Sequence, residues 1–177
     1  MKTLFYLSIC MAILINISCS KKDSSDGVGE PKTYNLYFEV LKSDSSPFEE
    51  GSIEISEALE MIDGEFTYPG DEIRWHTMNF DTLVSNALER TIFEPIVFSA
   101  WSSEWNFSGQ SEWQRDVYYL IRYLGNDIDT LRINDNTVVE PRRQVFNFLV
   151  DEEPKKEVII TDEGQNPEEP WILLIQK

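Results

Sequence analysis

Aromatic side chains in an otherwise polar segment are the clearest sign of a binding site in this sequence. Trp105, Phe107 and Trp113 stand among Ser, Glu and Gly residues, and Asn106 and Gln110 could supply hydrogen bonds. Flat aromatic rings stack on sugar rings or on peptide partners, and Trp is frequent in the energetic centres of interfaces. We predict that Trp105, Phe107 and Trp113 bind a protein partner or a glycan. The alternative is that these rings fill the hydrophobic core.

Groups suited to catalysis are few and poorly arranged. His76 is the only histidine, and nothing near it resembles the nucleophile turn that a Ser-His-Asp triad requires. A glycosidase needs two carboxylates facing each other across a cleft, whereas adjacent acids in a strand point to opposite faces. We therefore predict no catalytic residue and no enzymatic activity, with a carboxylate-dependent glycoside hydrolase as a third hypothesis. The acidic runs are Glu49-Glu50, Asp151-Glu152-Glu153, Asp162-Glu163 and Glu168-Glu169.

Oxygen ligands suited to a hard cation occur in two stretches of turn-like composition. Residues 127–129 read Asp-Ile-Asp, and residues 134–136 read Asn-Asp-Asn. Calcium takes about six to eight oxygen ligands, but neither stretch has EF-hand spacing or a closing bidentate Glu. Because Asn and Asp are frequent in turns for conformational reasons, we predict two turns, no metal site and no cofactor.

The first residues of the chain have the layout of a secretory signal. Lys2 supplies a positive charge, and residues 4–17 are almost wholly apolar. A membrane-spanning helix needs about 20 apolar residues, so this run is too short and instead predicts a signal peptide of residues 1–18. A small residue, Ser18, stands directly before Cys19 at the end of the run.

These features resemble the lipobox of bacterial lipoproteins, in which the signal is cleaved before a cysteine that becomes diacylated. The resemblance implies lipidation of Cys19 and a flexible tether over residues 19–32. Asn16 stands where the family usually has Leu, so cleavage at a small residue without lipidation is the alternative. The sequence Ser-Lys-Lys-Asp at residues 20–23 looks like the export signal of surface lipoproteins in the Bacteroidota. It implies a lipid anchor in the outer membrane and a domain at the cell surface.

Composition argues against several classes of protein. The formal net charge of −17 repels phosphate backbones, and we predict no nucleic-acid partner. Cys10 leaves with the signal and Cys19 is the predicted lipid site, so no cysteine remains for a disulfide or a nucleophile. Hydrophobic residues make up 41% of the chain and aromatic residues 12%, which is ample for a packed core.

The sequence pattern of residues 33–177 predicts a mainly β domain. Residues 34–41 alternate between apolar and polar types, as a half-buried strand does, and turn dipeptides separate further short strands. Asp81 can cap a helix over residues 81–92 with an apolar stripe that starts at Leu83. The pattern indicates a single antiparallel β-sandwich, Ig-like or transthyretin-like, with at most one short helix. The further predicted strands are 72–80, 96–101, 117–124, 128–133, 142–150, 157–161 and 171–176.

The strongest predicted element is a hairpin formed by residues 117–124 and 128–133. Gly125 and Asn126 as a two-residue type II′ turn would place Arg122 opposite Asp129, as a cross-strand charge pair. Both faces of the first strand are apolar, so we predict that it lies mid-sheet and is covered on both sides.

The C-terminal part of the chain carries a second resemblance. Its motifs are Tyr-Tyr-Leu at residues 118–120, Asp-Ile-Asp-Thr-Leu at 127–131, Val-Phe at 145–146 and an apolar strand that ends at Lys177. Together they look like the last half of many small Bacteroidota lipoproteins, which are uncharacterised β-sandwiches. The resemblance implies a fold and a location but no site. We expect a non-catalytic binding or accessory module in an outer-membrane assembly, with a glycan-binding lipoprotein as the alternative.

Overall fold

The computed structural model describes residues 32–67, 72–100, 112–138, 143–161 and 170–177. Over these ranges the chain forms strands and one short helix, which confirms the predicted mainly β sandwich. The elements are β1 (Lys32–Leu41), β2 (Ile53–Ser56), β3 (Glu60–Ile62), β4 (Glu65–Thr67), β5 (Trp75–Thr77), α1 (Thr82–Leu88), β6 (Phe93–Ala100), β7 (Glu112–Tyr123), β8 (Ile128–Val138), β9 (Arg143–Val150), β10 (Glu153–Thr161) and β11 (Trp171–Gln176).

Two sheets of unequal size pack against each other. The smaller sheet has the strand order β11-β1-β6, the larger has the order β10-β9-β8-β7-β2-β5, and β3 pairs with β4 in a separate hairpin. The described strand pairs are antiparallel with one exception, because β1 and β11 run parallel. In that pair Leu36 lies opposite Trp171, and Leu41 lies opposite Gln176. The central strand of the smaller sheet is therefore held by a strand from the far end of the sequence.

Alternation of apolar residues along the strands builds the core between the sheets. Leu36, Phe38 and Val40 of β1 are buried on the inner face, as predicted. Phe146 and Phe148 of β9 meet them from the larger sheet and are fully buried. Removing a side chain of this size from water contributes about 1.5–3 kcal/mol of stability, so these strands account for much of the folding free energy.

The predicted two-residue turn of the β7–β8 hairpin is wrong, and the register differs by one residue. Arg122 lies opposite Ile128 rather than opposite Asp129. The backbone N–H of Asn126 donates to the carbonyl of Tyr123 at 3.2 Å, which closes a four-residue turn. The three residues between Tyr123 and position 127 therefore form the loop.

Backbone conformation explains the longer loop. Gly125 has φ 104° and occupies the third position of the turn, where a type II turn requires positive φ. Asn126 follows with φ 65°, in the left-handed region that Asn tolerates. A Gly-Asn dipeptide is compatible with either turn length, so its presence alone does not fix the register. As a result Leu131 lies opposite Tyr119 and not opposite Leu120.

Strand β7 lies mid-sheet between β8 and β2, as predicted. On the inner face Tyr119 and Ile121 join the main core. On the outer face Tyr118 and Leu120 pack with Leu59 in a second buried cluster. Both faces of this part of β7 are therefore covered, which is why both rows of its side chains are apolar.

Strand β8 continues through residues 134–136, where a turn was predicted, so that prediction is wrong. Asn134 and Asp135 pair with both neighbouring strands, opposite Asp116 and Arg115 of β7 and opposite β9 on the other side. Turn propensity is a local preference, and here two complete ladders of backbone hydrogen bonds outweigh it. The polar side chains of this stretch are accommodated by hydrogen bonds within the domain.

Helix α1 confirms the predicted cap but not the predicted apolar stripe. The Asp81 side chain accepts hydrogen bonds from the backbone N–H groups of Leu83 and Val84, both at 3.0 Å. Glu89 adopts φ 52° and ends the helix after seven residues. The helix buries none of its residues, and Leu83 is 84% exposed. Ile92 is fully buried, but it lies beyond the helix.

Candidate functional site

The predicted site residues lie only partly within the described chain. Trp105 and Phe107, together with the predicted lipid site Cys19, fall outside the described residues. The backbone of Trp113 belongs to β7, opposite Thr137 of β8. The hypothesis that these three aromatic residues form one binding site therefore stays a prediction.

The groups considered for catalysis have ordinary structural surroundings. His76 is exposed in the short strand β5, with its Nε2 atom 3.7 Å from an Oε1 of Glu57. Glu50 accepts a hydrogen bond from the backbone N–H of Phe80 at 3.2 Å. Among the residues that the structure describes, no group of three or more His, Cys, Asp or Glu side chains is placed to hold a metal ion.

The outer surface of the smaller sheet, together with α1, carries an unusual share of exposed apolar side chains. We call this surface the apolar face. It holds four of the eight large hydrophobic residues that are exposed in the described part of the chain: Leu83 and Leu88 of α1, Val97 of β6 and Leu174 of β11. Val97 is 62% exposed and Leu174 is 48% exposed, although both lie in strands whose other side forms the core.

The strand register places the two sheet residues of the apolar face on either side of β1. Val97 lies opposite Asn35 of β1, and Leu174 lies opposite Glu39. A shallow cleft of about 330 Å³ opens between this part of the sheet and α1. It is lined by Thr33, Tyr34, Asn35, Tyr37, Val84, Pro170 and Trp171. The cleft therefore lies beside the apolar face, next to Val84 of α1 and Asn35 of β1.

An ion pair ties the segment after α1 to the sheet. A guanidinium nitrogen of Arg90 contacts a carboxylate oxygen of Glu39, and Glu39 is 8% exposed on the outer side of β1. Glu89 and Glu94 are exposed nearby, and Glu94 accepts a hydrogen bond from Asn79 at 3.4 Å. The ion pair therefore holds the segment after α1 against the sheet. Exposed acidic groups lie near the border of the apolar face.

The outer surface of the larger sheet has the opposite character. Asp116, Asn134, Asn147 and Glu157 lie opposite one another on the four adjacent strands β7, β8, β9 and β10. We call these four residues the polar row. The Nδ2 atom of Asn134 donates to Asp116 Oδ1 at 2.7 Å, and the Nδ2 atom of Asn147 donates to Asn134 Oδ1 at 3.4 Å. These bonds set the orientation of both amides.

Arg132 stabilises one end of the polar row. Its guanidinium donates to Asp116 Oδ2 at 3.1 Å and to Glu152 Oε2 at 2.9 Å. Its Nε atom is buried without a partner in the structure. The hydrogen bond that Arg132 donates to Asp116 raises the pKa of Arg132 above its usual range, and burial of the guanidinium opposes that rise only in part. Arg132 therefore stays charged and holds Asp116 in place.

A buried carboxylate lies at the hairpin end of the sandwich. Asp129 is 2% exposed and contacts the ammonium group of Lys177, and Tyr123 donates to it at 3.0 Å. Burial raises the pKa of Asp129, and the hydrogen bonds from Lys177 and Tyr123 partly offset that rise. Lys177 also reaches Asp127 Oδ2 at 3.0 Å and lies 4.7 Å from the centre of the Tyr123 ring. This cluster joins the end of β11 to the β7–β8 hairpin.

A second buried carboxylate lies toward the opposite end, inside the core. Asp135 is 5% exposed and accepts hydrogen bonds from Gln144 Nε2 at 3.1 and 3.2 Å and from Thr137 Oγ1 at 3.1 Å. Burial raises the pKa of Asp135 to about 6, against the opposing effect of these hydrogen bonds and of Arg115. Burial also raises the pKa of Tyr34, whose hydroxyl contacts Gln144, to about 12. Asp135 is therefore held by polar neighbours within the core.

No family model, no curated protein and no solved structure matches the chain. In the described part of the chain, no helix is long and apolar enough to cross a membrane.

Sequence reasoning missed both surfaces. Val97 and Leu174 lie in apolar runs that indicate buried strands, and only the assembled sheet shows which side of each strand is covered. Asn134 was assigned to a turn, although its spacing of two residues from Arg132 places both on one face of a strand. That alternation was the signal that could have revealed the polar row.

Proposed function

We propose that this protein is a lipid-anchored lipoprotein of the outer membrane and cell surface, whose β-sandwich is a non-catalytic binding module. The module docks through its apolar face onto a protein partner in an outer-membrane assembly. The observation that carries this proposal is the exposure of Val97 and Leu174 on the outer side of the smaller sheet, together with that of Leu83 and Leu88 on α1. Large apolar side chains that stay exposed on one side of a folded domain are a feature of interaction sites.

The character of the partner follows from the composition of the apolar face. Exposed leucine and valine side chains next to a concave cleft favour a partner with protruding apolar side chains. Exposed acidic groups, Glu89 and Glu94, and the formal net charge of −17 favour basic residues around the partner's apolar centre. A protein supplies both features, whereas a neutral glycan supplies neither the branched apolar side chains nor the cations.

Site-specific photo-crosslinking in native membranes tests the docking surface. A photoreactive amino acid at position 97 or 174 is expected to capture one and the same partner. Position 124 is the matched control, because Leu124 is 72% exposed and belongs to the β7–β8 turn of the larger sheet. Equal capture from position 124 would contradict the proposal. No capture from any position, together with saturable polysaccharide binding that Val97→Glu abolishes, would favour the glycan-binding alternative.

Substitution gives an independent measure of the same surface. Val97→Glu is expected to reduce co-purification of the partner at least about tenfold, because a carboxylate would be buried without a counter-charge at the interface. Leu124→Glu is the control and is expected to leave the yield unchanged. Thermal unfolding should shift by no more than a few degrees in either variant, since both side chains are exposed.

The lipid anchor requires its own experiment. Cys19→Ser is expected to abolish acylation, measured by mass spectrometry, and to move the protein from the detergent phase to the aqueous phase. The reason is that each buried methylene contributes about 0.8 kcal/mol and several chains are needed for lasting attachment. A wild-type protein that carries no lipid would refute the anchor, whatever the apolar face binds.

A further inference from the structure

The polar row on the outer face of the larger sheet points to a second ligand site, separate from the apolar face. We propose that this surface binds a short, uncharged oligosaccharide. The site uses Asn134, Asn147 and Gln114, and none of the aromatic residues predicted from sequence. It lies on the other sheet from Val97 and Leu174, so it can be occupied independently of a docked protein.

The geometry of the site comes from four adjacent strands. The polar row crosses β7 to β10, and adjacent strands are about 4.8 Å apart, so the row extends over about 14 Å. An open groove of about 520 Å³ runs along it. Its lining is Gln114, Arg132, Asn134, Asn147, Leu149, Pro154, Lys155, Lys156 and Glu157. A groove of this length suits a linear ligand of a few units.

The hydrogen-bonding groups suit hydroxyl ligands. Each carboxamide has two N–H donors and a carbonyl acceptor, and the hydrogen bonds of the polar row use only part of that capacity. Asn147 donates one N–H to Asn134, and Asn134 donates one N–H to Asp116. Gln114 is exposed in the groove. Adjacent sugar hydroxyls both donate and accept, so they match amides that are already held in position.

The apolar part of the lining and the charges narrow the class of ligand. Leu149 and Pro154 lie opposite each other at one end of the groove, where they can contact the C–H faces of a sugar ring. The cations of the groove already have anionic or carbonyl partners: Arg132 binds Asp116 and Glu152, Lys155 binds Glu153, and Lys156 donates to the carbonyl of Ile172. Because no excess positive charge faces the groove, a phosphorylated or acidic sugar would gain no electrostatic attraction over a neutral one.

A local irregularity supports the groove as a shaped surface. The β9–β10 register shifts between Pro154 and Lys156, which marks a β-bulge in β10. Bulges bend a strand and redirect its side chains, and they are frequent beside functional sites. Here the bulge lies where the groove ends, next to Leu149.

The test uses a printed array of neutral oligosaccharides, with acidic oligosaccharides beside them, followed by titration of the best neutral binder. Asn147→Ala and Gln114→Ala are each expected to weaken binding at least about fivefold. Gln176→Ala is the matched control, because Gln176 is an exposed amide on the other sheet, and it should bind like the wild type. Val97→Glu should also bind the sugar normally, which separates this proposal from the docking function.

Three results would overturn the saccharide site. One is the absence of binding to every neutral oligosaccharide on the array. Another is binding that survives unchanged in Asn147→Ala and Gln114→Ala, both shown to be folded by their unfolding midpoints. The third is a preference for the acidic sugars, which would show that the charges of the groove are not neutralised as the ion pairs indicate.

Discussion

Replacing Lys177 with Met is expected to lower the free energy of unfolding by about 3 kcal/mol at pH 7, one of the largest effects available in this domain. The substitution leaves Asp129 buried at 2% exposure with no cation beside it. Removing one partner of a buried ion pair costs about 3–5 kcal/mol. We expect the lower end of this range, because the hydroxyl of Tyr123 still donates to the carboxylate. Urea denaturation followed by tryptophan fluorescence measures the change.

Two further variants identify the cause of that loss. Lys155→Met removes a cation whose partner, Glu153, is 75% exposed, and it should change the unfolding free energy by less than about 1 kcal/mol. Asp129→Asn in the Lys177→Met background should restore most of the stability, because it removes the unpaired charge. Equal losses in Lys177→Met and Lys155→Met would show that Asp129 is not dependent on its cation.

The Asp135→Asn variant is expected to be more stable than the wild type above pH 6 and equal to it near pH 4. Burial raises the folded-state pKa of Asp135 to about 6, whereas its unfolded value is near 3.8. The folded state therefore holds the proton more tightly than the unfolded state. The contribution of Asp135 to stability is fully present below its unfolded-state pKa and is lost as the pH rises through its folded-state pKa. At about 1.4 kcal/mol per unit of pKa, the loss amounts to about 3 kcal/mol.

The measurement is the difference in unfolding free energy between variant and wild type at several pH values from 4 to 7. It should grow across this window and then level off above pH 6. Thr137→Val is expected to raise the pKa of Asp135 further, because it removes a donor that stabilises the ionised carboxylate. Its pH dependence should be steeper than that of the wild type. Parallel pH profiles for all three proteins would show that Asp135 ionises freely in the fold.

Much of the architecture was predictable because it follows from alternation. The inner residues of β1 and the apolar row of β9 have the two-residue period of half-buried strands. The cap of α1 at Asp81 was predictable for a similar reason, since a side-chain acceptor before a helix acts on its own first turn. Such features depend on residues that are close together in the sequence, so one sequence is enough to predict them.

The features that escaped prediction depend on residues far apart in sequence. Arg122 donates to Glu54 Oε2 at 2.7 Å and lies 4.2 Å from the Trp75 ring, so its partners come from β2 and β5 rather than from its own hairpin. Asp135 is held by Gln144 inside the core, and local composition alone indicates a turn there. Neither the apolar face nor the polar row exists before the sheets assemble. The candidate surfaces were therefore less predictable than the strands that carry them.

The parallel pairing of β1 with β11 has a kinetic consequence. Residues 36 and 171 must meet before the smaller sheet can form, and closing so long a loop is entropically unfavourable. The successive antiparallel strands β7 to β10 need only short-range contacts, so they are expected to assemble first. During that interval Phe146 and Phe148 face solvent on an open sheet, a state prone to aggregation. The order of the strands therefore leads us to expect slow refolding, with aggregation competing at this stage.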